Sequence, residues 1–144
     1  MILYENAHLR ILYDGRLRLL EAHWLGPASS DEFRRSQTHL LDLAERYQAR
    51  AWLGDLRRLP GILPLDQIWL EQNWFPRFLK LGLEKLAIVN ADDPFSRADV
   101  AAVAEAAKAP QHPGRPDVRY FNDVSEAREW VSTPLSVARL PRLG

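Results

Sequence analysis

The sequence predicts an α/β domain, a mixed sheet in which an antiparallel N-terminal hairpin feeds parallel strands joined by crossover helices. Three observations predict it. Short, partly alternating apolar runs flank Asp14-Gly15, a dipeptide whose backbone tolerates the positive φ of a tight hairpin turn. Two mainly apolar runs, Ala51 to Asp55 and Leu83 to Asn90, sit between helical patterns, where a strand is most easily buried in a parallel sheet covered by helices. The stretch from Ala51 to Asn90 then reads as strand, proline-marked loop, aromatic helix and strand, one β-α-β crossover.

Composition bounds the function. A length of 144 residues is that of one domain with a real core, read here as residues 1–131 followed by a tail at 132–144. Nineteen basic residues balance nineteen acidic ones, so no net field draws the chain to nucleic acid or to an anionic membrane. The absence of cysteine excludes disulfides, thiolate nucleophiles and cysteine-ligated metal centres. The N-terminus, MILYENAHLR, lacks the apolar run of a signal peptide, and no segment is apolar enough to span a bilayer, so the expected address is cytoplasmic.

Taken in order, Ile2 to Glu5 reads as a short strand, and Leu9 to Tyr13 pairs with Leu17 to Trp24 as a hairpin. The alternation breaks at Leu19-Leu20, where a bulge or a longer turn is expected. After Gly26-Pro27, the Ser29 to Glu32 spacing is that of a capping box, so a helix begins at about Ser30 and ends near Ala49. Its buried stripe is Phe33, Leu40, Ala44 and Tyr47, widened by Leu41 and Leu43. The strand Ala51 to Asp55 follows, and Asp55 lies at its carboxyl end, where open α/β sheets place their sites.

The helix from Leu65 to Leu81 carries two apolar stripes. At about 100° per residue, Leu65, Ile68, Trp69, Phe75 and Leu79 fall on one side, and Leu70, Trp74, Phe78 and Leu81 on nearly the opposite one. One stripe suffices to pack on a sheet. The second either turns into the same core through a kink at Pro76, or covers a partner or a ligand. On the latter reading Trp74, Leu70 and Phe78 are the exposed contact set.

Leu83 to Asn90 returns as a buried strand. Asp92-Asp93-Pro94 and Ser96 to Asp99 start an alanine-rich helix, Pro110 to Pro116 is a turn-rich link, and Val118 to Phe121 is the last strand. Asp123 with Glu126 caps a final helix through Trp130.

A set of residues spread along the chain resembles a known family. Asp55-Leu56, Trp69, Trp74-Phe75-Pro76, Gly82, Lys85, Ala87-Ile88-Val89, Tyr120-Phe121, Asp123, Glu126-Ala127 and Trp130 resemble the STAS-like proteins of the anti-sigma-factor-antagonist (SpoIIAA-like) fold. The resemblance runs to about Val131 and implies a small α/β domain that acts by binding, often in bacterial regulation, with one relative of the fold binding lipids. In anti-sigma antagonists a serine at the start of the helix after the Asp-Leu strand end is phosphorylated to switch partners. Here Leu56 to Asp66 reads LRRLPGILPLD, with no Ser or Thr, so the phosphoserine switch is expected to be absent.

Other chemistry finds little footing. Asp55, Arg57, Asn90, Asp92 and Asp93 converge at the carboxyl edge of the predicted sheet, either as a polar site or as helix-capping acids. Arg57 and Arg58 are placed to clamp an anion near a helix start, or are simply solvated. With a two-residue hairpin turn His8 faces Glu21 and is diagonal to His23, but no fourth ligand is evident, so neither a metal nor a cofactor is expected. No nucleophile elbow and no phosphate-binding glycine pattern is present. The expected function is a non-catalytic regulatory or protein-interaction module, working as a homodimer or with a regulatory protein. The alternative is a binding protein for an apolar small molecule or lipid in a cavity lined by Trp69, Trp74, Phe75 and Phe78. The candidate surface is Asp55, Arg57, Trp69, Leu70, Trp74, Phe75 and Phe78.

Overall fold

The computed structural model describes residues 1–90 and 116–133. Its six strands, β1 (Ile2–Glu5), β2 (Leu9–Asp14), β3 (Leu19–Trp24), β4 (Ala51–Asp55), β5 (Lys85–Val89) and β6 (Asp117–Phe121), lie side by side in sequential order. β1, β2 and β3 form an antiparallel meander, and β3 through β6 are parallel. This is the predicted mixed sheet. The expected alanine-rich helix and the tail beyond Thr133 lie outside the described residues.

The hairpin differs from expectation in its turn. Asp14 pairs with Leu19, so four residues, not two, connect the strands. Asp14 Oδ1 accepts from the amides of Arg16 (2.9 Å) and Leu17 (3.3 Å), an Asx turn, and Arg18 closes it with φ 52°. The imperfect alternation at Leu19-Leu20 has a direct cause: β3 is covered on both faces, so Leu19 and Leu20 enter different cores. The bulge falls instead between Ile2 and Tyr4 of the edge strand β1.

Helix α1 (Ser30–Tyr47) starts on the expected capping box, with Ser29 and Glu32 each accepting the other's backbone amide, and ends on Gln48 in the left-handed conformation. It shares one face of the sheet with α2 (Pro64–Trp69) and α3 (Phe75–Leu79), over Leu20, Ala22, Trp24, Trp52, Leu86 and Ile88. The opposite face carries α4 (Val124–Ser132), whose Ala127 and Val131 pack on Leu19, Leu53, Ala87 and Val89. Asp123 caps α4 by accepting from the amide of Ser125, at 2.7 Å.

Between α2 and α3 the backbone forms a π-helical turn, Leu70–Trp74, in which the amide of Phe75 donates to the carbonyl of Leu70. Proline at position 76 has no amide to give and its ring crowds the preceding turn, so the wider turn relieves the conflict without breaking the rod. The turn also retards the helix phase by roughly one residue, about 100°. Leu70, Trp74, Phe75 and Phe78 consequently all enter one core.

The folded body reaches slightly past Val131. Lys85, buried in β5, donates its Nζ to Thr133 O (2.7 Å), Thr133 Oγ1 (2.7 Å) and Trp130 O (3.0 Å), closing the carboxyl end of α4.

Candidate functional site

The polar site is built by register. β3 and β4 are parallel with His23 opposite Asp55, so the two side chains project together from the α4 face at the strands' carboxyl ends. Glu21 lies two residues before His23 and therefore on the same face. His23 Nδ1 meets Asp55 Oδ2 at 3.0 Å, and His23 Nε2 meets Glu21 Oε1 at 2.7 Å. Arg57 folds back on Asp55 through two forked bonds, Nε to Oδ1 and Nη2 to Oδ2, each 2.9 Å, and its amide adds a third at 3.3 Å. From α4, Arg128 closes the other end, with Nη2 2.9 Å from Glu21 Oε1 and Nε 3.1 Å from Oε2. The result is a chain of alternating charge, Arg57, Asp55, His23, Glu21, Arg128.

Burial opposes every charge in this chain, yet the partners win. For Asp55, 5% exposed, the bonds from His23 and Arg57 outweigh desolvation and hold the carboxyl far below its usual range. Glu21, 9% exposed, is lowered in the same way, against desolvation, by His23 and Arg128. Burial by itself pushes the His23 imidazole down, but hydrogen bonds to Asp55 and then Glu21 carry it above its ordinary 6.5. Both ring nitrogens of His23 face carboxylate oxygens, an arrangement that favours the doubly protonated ring.

That arrangement decides what the histidine can do. A His-Asp pair is a familiar catalytic component when the second ring nitrogen faces a nucleophile or a substrate proton. Here Nε2 faces Glu21, itself held by a guanidinium. With both ring nitrogens engaged by carboxylates, the unit cross-links β3, β4 and α4. No group of His, Asp and Glu suited to a metal occurs among the described residues.

Asp55 and Arg57 are brought together as predicted, but Asp55 does not cap a helix, since α2 begins at Pro64 behind a loop. Asn90 follows β5 directly, its backbone amide donating to Phe121 O, 2.9 Å away, whereas Asp92 and Asp93 lie outside the described residues. The longer hairpin turn removes the predicted histidine arrangement: Leu12, not His8, faces Glu21, and Arg10 faces His23. His8 instead places Nδ1 3.0 Å from Pro27 O and pairs with Glu32. Sequence reasoning missed Arg128, which reaches Glu21 from 107 positions away. Glu21 and His23 were legible only as two polar residues at strand spacing, and their partner across β4 depended on a parallel register that no local pattern states.

The apolar site needs a correction. Leu70, Trp74 and Phe78, expected as an exposed contact set, are all buried, because the π turn and Pro76 rotate them toward the sheet. Trp74 donates Nε1 to Gln37 O at 2.8 Å and stacks on Phe78 at 4.9 Å. Trp69 is half-buried, with the Arg34 guanidinium 5.5 Å from its ring. Beneath them is a cavity of about 90 Å³ lined in part by Trp52, Leu70, Trp74, Phe75 and Phe78, without Trp69. On this segment the large apolar side chains left in solvent are instead Leu63, Leu65 and Ile68, at 61%, 72% and 47% exposure, at the start of α2. Asp66, buried within the same turn, accepts from Ser30 Oγ (2.6 Å) and Arg34 Nε (2.8 Å), fixing this ridge to α1.

The fold thus combines a sequentially ordered mixed sheet, a closed ionic chain at its carboxyl edge and exposed apolar side chains at the start of α2. The SpoIIAA-like family model matches residues 19–132, and the chain belongs to that family. Membership points to a STAS-type regulatory or interaction module, in line with the resemblance read from the sequence. Neither the curated proteins nor the solved structures give a match. No helix among the described residues is long and apolar enough to cross a membrane.

Proposed function

We propose that this protein is a non-catalytic regulatory module of residues 1–131, extended by the contacts of Thr133, that works by protein contact without a phosphoserine switch. The observation that carries the reading is the exposure of Leu63, Leu65 and Ile68, three large apolar side chains within six residues at the start of a helix that Asp66 ties to α1. Such a patch is a contact surface more often than a solvated one. A second copy is the partner it fits best, because a two-fold axis through a short apolar ridge pairs it with itself and asks for no opposite charge in a chain whose net charge is zero. The missing Ser and Thr between Leu56 and Asp66 support a contact not gated by phosphate. The closed state of His23 supports the absence of catalysis. Sedimentation of Leu65→Glu/Ile68→Glu against the parent tests this. The expected result is dissociation to monomer with an unchanged far-UV spectrum, and an unaltered dimer would remove the ridge from the account.

The cavity supports a second reading, a sensor for an apolar small molecule. At about 90 Å³ it lies well below the roughly 300–1,000 Å³ of ordinary ligand pockets. It suits a probe of xenon or benzene size rather than a lipid chain unless α2 and α3 move apart. Xenon-induced chemical shifts at Trp74 and Phe78 test it, and their absence would retire it.

A further inference from the structure

The carboxyl edge of β3 and β4 opens into a groove of about 340 Å³ on the α4 side of the sheet. Its charged lining among the described residues is Arg10, His23, Arg57, Arg58, Arg128 and Asp55. Four arginines and His23 thus face one carboxylate. The carboxylates that flank them, Glu5 beside Arg10, Glu21 beside Arg128 and Asp123 near Arg57, leave Arg58 as the guanidinium that no carboxylate engages among the described residues. Arg57 and Arg128 each spend Nε and Nη2 on a carboxylate, which leaves Nη1 of both without a hydrogen-bond partner among the described residues, on side chains 47% and 50% exposed. Arg58 makes no hydrogen bond or ion pair among the described residues, although it borders the same groove.

From this geometry we infer that the groove is a binding site for a small phosphate monoester, its phosphoryl group held by Arg58 together with the free Nη1 edges of Arg57 and Arg128. Guanidinium forks match phosphate oxygens in shape as well as charge. The ionic chain behind them holds two of the three arginines in fixed positions before any ligand arrives, which lowers the ordering cost of binding. Size and surroundings select a small molecule. The groove is at the lower end of ordinary ligand pockets, and the chain as a whole has no net charge with which to steer a polyanion. Leu12, Trp24, Leu25 and Val124 line the rest of the groove and give an organic body an apolar wall. This site lies across the sheet from the α2 ridge and stands or falls independently of the dimer.

Phenyl phosphate and inorganic phosphate are the probes, titrated into the full-length protein labelled with nitrogen-15. Expected are saturable shifts of the Leu25, Arg57, Arg58 and Val124 amides with phenyl phosphate, and weaker binding at the same amides with inorganic phosphate. Arg58→Glu, a change at an exposed side chain with no partner to lose, should weaken phenyl phosphate at least about tenfold, the equivalent of about 1.4 kcal/mol, with the melting temperature unchanged. Arg58→Lys should recover only part of the affinity, because it restores the charge without the fork. Shifts that fail to saturate, or equal affinity in parent and Arg58→Glu, would overturn the assignment of the site. Equal affinity for the two probes would overturn the apolar wall.

Discussion

Replacing His23 by alanine should destabilise the fold in a manner that depends on pH. The substitution removes two charge-assisted hydrogen bonds, at 3.0 Å to Asp55 and 2.7 Å to Glu21, and leaves two buried carboxylates whose remaining side-chain partners are Arg57 and Arg128. Bonds to charged groups contribute about 1.5–3 kcal/mol each. Because the arginines stay, the lower end applies to both, for a total of about 3 kcal/mol. In a chain of this length that corresponds to a fall in melting temperature of about 10 °C. The pH dependence follows from the direction of the histidine shift. His23 has a folded-state pKa above its unfolded 6.5, so its ionic contribution is fully present below about 6.5 and is lost as pH rises through the folded value. Urea unfolding of parent and His23→Ala should therefore show the full gap near pH 6, on the order of 3 kcal/mol, narrowing toward pH 9. A gap below about 0.5 kcal/mol at pH 6, or one that does not change with pH, would refute an imidazolium shared between two carboxylates.

Three further outcomes are expected. Trp74→Glu buries a charge beside Trp52 and Phe78, so it should abolish cooperative unfolding and near-UV signals instead of producing a folded monomer, and a folded variant would show that Trp74 is not core. Truncation after Val131 strips Lys85 of both Thr133 acceptors and should cost about 1–3 kcal/mol, whereas truncation after Thr133 keeps them; equal stability of the two would deny Thr133 its role. On the acid side, Asp55 and Glu21 both titrate below their unfolded values of 3.8 and 4.5, so their contribution is complete above those values and disappears as pH falls through the folded ones. Arg57→Ala should move the acid unfolding midpoint upward, and an unmoved midpoint would detach Arg57 from Asp55.

What could be read from the sequence, and what could not, divides along physical lines. Local chemistry was legible. The capping box at Ser29 and Glu32, the N-cap at Asp123, and the buried runs Ala51 to Asp55 and Leu83 to Asn90 each act over a few residues and each appears in the structure. The meander and the parallel strands followed from those runs. The two-stripe helix left two readings open, and the structure takes the one in which a distortion at Pro76 turns Leu70, Trp74, Phe75 and Phe78 into one core; the form of that distortion, a π turn, is not written in the apolar pattern. Leu65 and Ile68, ahead of that turn, lie on the exposed side. The hairpin register failed for a related reason: Asp14-Gly15 marks a turn but not its length, and the side chain of Asp14 stabilises the longer one. The ionic chain was half visible. Asp55 and Arg57 are neighbours in sequence, whereas His23 and Arg128 join them only through strand pairing and helix packing.

Native mass spectrometry of the full chain as purified tests the central claim most directly, since subunit number and retained ligand are read together. The account predicts a species at twice the chain mass, converted to monomer by Leu65→Glu/Ile68→Glu. A monomer at every concentration would contradict it, and a monomer retaining an apolar adduct would hand the function to the cavity instead.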